Sequence, residues 1–264
     1  MSKILLTGAA GGLGKVLRES LNNWKDSLIV SDITDLGPAQ CGEEVRQCDL
    51  SDFKSVLELV EDIDEIIHLG GVSVEDSFDN ILHANIIGTY NIYEAARQKG
   101  IKRILFASSN HTIGFHSREN LLDASSVMRP DSLYGVSKGF GELLARYYYD
   151  KFQIESACIR IGSSFPKPKD RRMLATWLSY KDLTSLVKRI FEVDRLGFAI
   201  VYGVSDNKEK WWDNHQVAYI GWSAQDSSEQ FENEPYITAE KVDPFSPVTL
   251  YQGGKFASFG HFED

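Results

Sequence analysis

Apolar positions in the first two-thirds of the chain fall in short runs separated by longer stretches with helical spacing. The runs Ile4–Thr7, Leu28–Ser31, Val45–Cys48, Glu65–Leu69, Ile104–Ala107 and Ala157–Ile161 read as strands. Several are apolar on both alternating faces, as strands covered by helices on both sides must be. Between them, Leu13, Val16, Leu17, Leu21 and Trp24 lie near one face of a helix, as do Phe53, Val56, Leu57 and Val60. A longer helix is predicted over 78–99, with Ile81, Asn85, Thr89, Ile92 and Ala96 along one side, and another over 134–151. Strand–helix alternation of this regularity predicts an α/β fold, a Rossmann doubly wound parallel sheet with helices on both faces and right-handed crossovers.

After Ile161 the pattern changes. Pro166, Lys167, Pro168 and Lys169 form a basic loop, and the spacing then predicts a helix over 180–192, a strand over Phe198–Tyr202 and a short helix over 211–220. This part reads as a small C-terminal substrate-side cap. No Gly/Ser-rich or Pro-rich linker precedes it, so 1–264 is read as a single domain, with 162–264 contributing most of the cap. There is no internal repeat and no low-complexity tract.

Composition narrows the possibilities. Hydrophobic residues make up 42% of the 264 and charged residues 25%, enough to bury a real core. A formal net charge of -10 disfavours long-range attraction to nucleic acid or an anionic membrane, so an anionic ligand must be held by local groups. Cys41, Cys48 and Cys158 fit no zinc or C-x-x-C pattern and no disulfide framework, which points to a reducing cytoplasm. The N-terminal run Lys3–Thr7 reads as a strand and not a signal peptide, and no apolar run is long enough to cross a bilayer. The six histidines, at 68, 83, 111, 116, 215 and 261, show no ligand spacing, so no metal is expected.

The segment from Thr7 to Gly14 follows the first strand and opens the first helix, and its Gly8, Gly11 and Gly14 have G-x-x-G-x-x-G spacing. Glycines there permit a tight turn and close approach to a pyrophosphate, and the helix N-terminus offers N–H groups to that anion. Asp32 ends the second strand, eighteen residues after Gly14. A carboxylate there accepts from ribose hydroxyls and repels a 2′-phosphate, which favours NAD over NADP. Asp49 after the third strand suits an adenine-edge contact, and the Leu69–Ser73 segment lets backbone pass close to the cofactor.

The most specific motif is Tyr134-Gly135-Val136-Ser137-Lys138. Residues i and i+4 share a helix face, so the Lys138 ammonium can stabilise a Tyr134 phenolate and make it a usable base. A hydroxyl to hold the reacting oxygen is expected just past the fifth strand. Ser109 is the choice there, with Ser108 competing.

These residues, with Asn85-x-x-Gly88-Thr89-x-Asn91, resemble the extended short-chain dehydrogenase/reductase family, the NAD-dependent epimerase/dehydratase group. The segments Ser108–Gly114, Leu133–Lys138, Arg160–Ser163 and Arg172–Trp177, together with Trp211–Asn214 and Gln252–Gly254, are similar to its uronate-oxidising branch, and the likeness covers nearly the whole chain. The resemblance implies NAD-dependent oxidation of D-glucuronate and D-galacturonate at C1 to an aldarolactone. It implies a catalytic set of Tyr134, Lys138 and Ser109, and NAD contacts at Gly8, Gly11, Gly12, Leu13, Gly14, Asp32, Asp49, Leu50, Leu69, Gly70, Gly71, Ser73, Asn85 and Lys138. Substrate contacts are implied at Ser73, Ser109, Asn110, His111, Ser163 and Arg172. The planar fork of Arg172 suits a uronate carboxylate, with Arg171 the competing choice. A homo-oligomer is expected, paired through the helices over 78–99 and 134–151. Two other activities stay open on this fold: dehydrogenation of an aldose phosphate, for which Lys167, Lys169, Arg171 and Arg172 offer charge, and nucleotide-sugar epimerisation or dehydration, for which about a hundred residues after Ile161 leave little room.

Overall fold

In a computed structural model of the chain, residues 2–239 and 243–262 are described. Seven strands form one sheet in the order β3-β2-β1-β4-β5-β6-β7. They are β1 (Lys3–Thr7), β2 (Ser27–Ser31), β3 (Glu43–Val45), β4 (Glu65–His68), β5 (Arg103–Ser109), β6 (Glu155–Ile161) and β7 (Phe198–Gly203). β1 pairs in parallel with β2 and β4, β2 with β3, and β4 with β5. The Rossmann-type parallel sheet predicted from periodicity is therefore the observed fold. Its order reverses between β1 and β4, and such a switch point opens a crevice outside the carboxyl ends of the two strands.

The helices that matter for the site are α1 (Gly12–Ser20), α2 (Phe53–Leu59), α3 (Phe78–Ile81), α4 (Gly88–Lys99), α5 (Leu133–Phe152), α6 (Met173–Thr176) and α7 (Tyr180–Glu192). Three sequence predictions need correction. The third strand lies at Glu43–Val45 and not at Val45–Cys48, because register sets Leu28 opposite Glu43 and Val30 opposite Val45. Arg18 fixes that register by clamping the Glu43 carboxylate, with Nε 2.9 Å from Oε2. The helix over 78–99 is broken by a π-helical stretch, Leu82–Ile87, which turns the Asn85 amide onto the Val72 backbone. Residues 211–214 do not start a helix. Trp212 bridges to Leu122, and a 3-10 helix begins at His215.

The chain divides into two compact units. One holds the residues up to Ala107 with 140–158 and 195–199. Its core includes Ile4, Leu5 and Leu6 of β1, Leu28, Ile29 and Val30 of β2, and Ile66 and Ile67 of β4, apolar on both strand faces as expected for a covered parallel sheet. The other holds 108–139, 159–194 and the described residues from Ile200 on. Its core gathers Ile113, Leu122, Ala175, Tyr202, Trp211 and Trp212, with the Tyr202 and Trp212 rings stacked at 5.3 Å. No described helix is long and apolar enough to cross a membrane.

Candidate active site

The glycine-rich loop sits in the first unit, between β1 and α1. Gly8 has φ +73°, and a Cβ there would lie 2.7 Å from the Leu69 carbonyl carbon, so the loop rests on the backbone that leaves β4. A Cβ on Gly14 would lie 2.0 Å from the Gly8 oxygen, which only glycine avoids, whereas Gly12 faces open space. Gly11 is the N-cap of α1, so no side chain can satisfy the first-turn N–H groups there. This is a cradle for an anion at a helix N-terminus, and it fits the pyrophosphate of a dinucleotide.

Asp32 follows β2 directly. Its Oδ2 accepts from Ala10 N–H at 2.9 Å, and its Oδ1 accepts from Thr34 N–H at 3.0 Å. The carboxylate therefore ties the end of β2 to the glycine loop. After β4, Thr7 Oγ1 accepts from Gly70 N–H at 3.1 Å and shares a hydrogen bond with His68 Nδ1 at 2.8 Å. Gly71 has φ +125°, and a Cβ would meet Asn85 Oδ1 at 2.5 Å. Asn85 itself accepts from Val72 N–H at 2.7 Å and donates to Val72 O at 3.1 Å, so it shapes the Leu69–Ser73 segment by gripping backbone. Leu50 packs beside Gly70 and Gly88, and a Cβ on Gly70 would lie 2.5 Å from Leu50 Cδ1. Leu13 is half-buried, and Asp49 and Ser73 are exposed.

The second unit holds the other candidates. Ser109 ends β5 and caps the following 3-10 turn, accepting from His111 N–H at 3.2 Å. It also hydrogen-bonds Tyr134, which opens α5. Ser108 is buried beside it in the chain, but it is Ser109 that touches the tyrosine. Burial pushes the Tyr134 phenol up to about 12; the Ser109 bond pulls down, and the charge of Asp131 adds to the rise. One turn on, Lys138 is buried too, and burial pulls its ammonium down to about 8. Its Nζ lies 5.7 Å from the Tyr134 ring centroid. The pair thus shares a helix face as the i, i+4 spacing required.

Arg172, just before α6, is turned inward, while its neighbour Arg171 is exposed. Its Nε donates to Gln252 O at 2.7 Å and its Nη1 to Ser163 Oγ at 3.4 Å. With the Asn110 amide oriented to satisfy both of its ends, Asn110 accepts from Arg172 Nη2 at 2.8 Å and donates to Ile161 O at 3.0 Å. Ser163 also bonds Thr176 Oγ1 at 2.9 Å. Desolvation pulls the guanidinium down to about 10. Among the described residues no carboxylate lies within ion-pair distance of it.

Two residues absent from the sequence reading complete this region. Asp131 pairs with His111 Nδ1 at 2.8 Å, and Phe256 stacks on the His111 ring at 3.8 Å between centroids. Nothing local flags either one, since each meets His111 only through the fold. Gln252, noted only as part of a C-terminal motif, anchors the tail. Its Nε2 donates to Ser117 O and Asn120 O, and its Oε1 accepts from Trp212 Nε1 at 2.8 Å. Among the described residues no cluster of His, Cys, Asp and Glu could hold a metal ion.

The first unit carries a nucleotide cradle at the switch point of a parallel sheet, and the second carries a serine at a strand end and a tyrosine and lysine one turn apart on a helix; each by itself is a feature of dinucleotide-dependent short-chain enzymes. The model of the NAD dependent epimerase/dehydratase family matches residues 4–180, and the chain belongs to that family. It is 51% identical over 264 residues to the uronate dehydrogenase of Pseudomonas syringae pv. tomato, covering 100% of this chain and 96% of that one. The solved glucuronic acid dehydrogenase from Chromohalobacter salexigens superposes with a TM-score of 0.97 at 54% identity, covering 100% of this chain and 99% of that one. A uronate dehydrogenase from Agrobacterium tumefaciens, solved as a complex with NAD, superposes with a TM-score of 0.96 at 46% identity, covering 99% of both chains. The motif-based resemblance is borne out over the full chain.

Proposed function

We propose that this chain oxidises D-glucuronate and D-galacturonate at C1, with NAD, to the aldarolactone. The observation that carries the substrate class is the Arg172 guanidinium. Three of its N–H groups are held by uncharged oxygens of Gln252, Ser163 and Asn110, which leaves one on each Nη for a ligand. A desolvated cation so held gains most from a planar anion that accepts two parallel hydrogen bonds, and a uronate carboxylate is such an anion.

Position supports the following roles. Tyr134 Oη takes the proton of the C1 hydroxyl, and Ser109, bonded to the same phenol, holds the reacting oxygen. Lys138 adds positive charge on the same helix face and so favours the phenolate. Asn110, His111 and Ser163 hold ring oxygens, and Ser73 is a further candidate contact. Bound NAD supplies the hydride acceptor. The glycine loop with Leu13 holds its pyrophosphate, and Asp32 its adenosine ribose. Asp49, Leu50 and the Leu69–Gly71 segment, shaped by Asn85, line the rest of its path. A lactol oxidised at C1 becomes a lactone directly, so no free aldehyde forms.

The aldose-phosphate alternative is weaker. Lys167 and Lys169 lie over the rings of Tyr236 and Phe165, and Arg171 is exposed, so the basic loop does not gather its charge on Arg172. Residues 162–264 are assigned most of the substrate cap of a single nucleotide-binding domain. Three free cysteines favour a reducing cytoplasm, and the exposed Tyr90, Val136, Leu143 and Tyr147 on α4 and α5 favour a homo-oligomer. The test is a screen that follows NADH absorbance with uronates, neutral aldoses and aldose phosphates. Uronates should lead by more than about tenfold in kcat/KM, the worth of one charge-assisted fork. Preference for an aldose phosphate would overturn the substrate class.

A further inference from the structure

We propose that Asp131 is a positioning residue for substrate recognition: it holds the neutral His111 ring with its proton on Nδ1, so that Nε2 serves as the acceptor for a substrate hydroxyl. This rests on the reading of His111 as a uronate contact. Both Asp131 oxygens lie near His111 Nδ1, at 3.1 and 2.8 Å, and the Asp131 side chain has no exposed surface. An ionised carboxylate only accepts, so the imidazole nitrogen facing it must carry the proton, and a neutral ring then has its lone pair on Nε2. A site built this way favours an O–H that donates over a group that only accepts.

Several details fix the pair. Asp131 N–H donates back to His111 O at 3.3 Å, and Ser132 Oγ donates to Asp131 Oδ1 at 3.0 Å. Phe256 covers one face of the imidazole, with 25° between the planes, and the Tyr134 ring meets it edge-on at 5.9 Å. Room for the carboxylate comes from two glycines distant in sequence. A Cβ on Gly114 or on Gly253 would lie 1.8 Å from Asp131 Oδ2.

Two simpler roles account poorly for Asp131. It is not needed to cap α5, because Ser132 Oγ accepts from Gly135 N–H at 2.9 Å and Ser132 O from Val136 N–H at 3.0 Å. Nor does it help the base, since its charge raises the Tyr134 phenol. A carboxylate that opposes deprotonation of its neighbour needs another use, and the His111 tautomer is the one its geometry offers.

The direct test is nitrogen-15 NMR of histidine-labelled protein at about pH 9, above the usual histidine range, with His111 assigned by comparison with His111→Gln. The inference predicts the Nδ1–H tautomer for His111, and the Nε2–H tautomer would overturn it without recourse to any Asp131 variant. In kinetics, Asp131→Asn should raise the uronate KM by about fivefold to tenfold, the worth of one misdirected hydrogen bond, and by more than it lowers kcat. A fall in kcat at unchanged uronate KM would overturn it as well. Failure of the native protein to oxidise uronates would instead remove the function on which the inference rests, while the NMR result would still decide the tautomer.

Discussion

In the loop between β1 and α1, glycines at 8, 11 and 14 strip away side chains so that backbone N–H groups and a helix end can face an anion. Around Arg172 the chain does the opposite. It gathers a guanidinium, a serine and an asparagine, and the Gln252 carbonyl of the tail holds the guanidinium in place. The first region recognises what every dinucleotide shares, and backbone is enough for that. The second, on the proposed reading, has to tell one sugar acid from other sugars, which needs side chains in fixed directions, and these are held by contacts far apart in sequence. On that reading, generic binding is locally encoded here and selectivity is not.

The largest break should come from Tyr134→Phe. It removes a proton acceptor without changing the packing, so turnover should fall by about 10²–10⁴-fold while NAD affinity stays within about twofold of native. Stopped-flow turnover with NAD titration by fluorescence would check this, and substantial turnover at neutral pH would mean that another base operates.

Lys138→Met addresses the cost of the catalytic region. Burial lowers the ammonium from 10.5 to about 8. Between those values the unfolded chain binds the proton more tightly than the folded one. The penalty is therefore complete below about pH 8 and is relieved as pH rises toward 10.5. At neutral pH it amounts to about 3 kcal/mol. Without NAD, Lys138→Met should therefore raise Tm by about 4–9 °C at neutral pH and lose activity, as expected where function opposes stability. The gain should shrink at high pH, and calorimetry across the range would show it.

Gly253→Ala sharpens the comparison from the tail side. Gly253 has φ −68°, so an alanine suits its backbone, but the new Cβ would collide with Asp131 Oδ2. The uronate KM should rise by about tenfold or more, given one misplaced group in the pocket, with the NAD KM unchanged. A parallel rise in both would show that the two regions are not separable in this way.

Asp32→Ala should have the smallest effect and fall on the other region. Loss of the carboxylate removes repulsion of a 2′-phosphate, so the NAD-to-NADP preference should fall by several-fold, about 1 kcal/mol, with the uronate KM unchanged. Equal native turnover with NADP would remove this role from Asp32.

What was legible in the sequence follows the same division. Glycine spacing after a strand, Asp32 at the end of the next and Tyr134 four residues before Lys138 are local patterns, and in the fold the glycines lie between β1 and α1, Asp32 directly after β2, and Tyr134 and Lys138 one turn apart on α5. The third strand begins two residues and ends three residues before the expected Val45–Cys48, and Arg18 grips Glu43 there, a contact outside any periodicity window. The break in the helix over 78–99 is hidden because Ile81, Asn85 and Thr89 keep helical spacing, and the Asn85–Val72 hydrogen bonds that accompany the π-helical stretch lie outside that pattern. Asp131 and Phe256 carried no signal, since an acid before a helix and an aromatic near a chain end suit many roles. Two adjacent arginines look alike in sequence; the fold is what turns Arg172 inward, its Nε donating to the Gln252 carbonyl, and Gly254 makes room, as a Cβ there would lie 2.5 Å from Arg172 Cδ.

If Arg172 makes the substrate a uronate, one ratio shows it. It is the kcat/KM for galacturonate over that for galactose, taken for the native protein and for Arg172→Ala. A folding or cofactor defect cancels in such a ratio, because both sugars meet the same enzyme. A bidentate charge-assisted contact is worth about 1.5–3 kcal/mol, so the ratio should fall by at least about tenfold in Arg172→Ala, and Arg172→Lys should restore only part of it. An unchanged ratio would place the carboxylate elsewhere, with Arg171 the next residue to test.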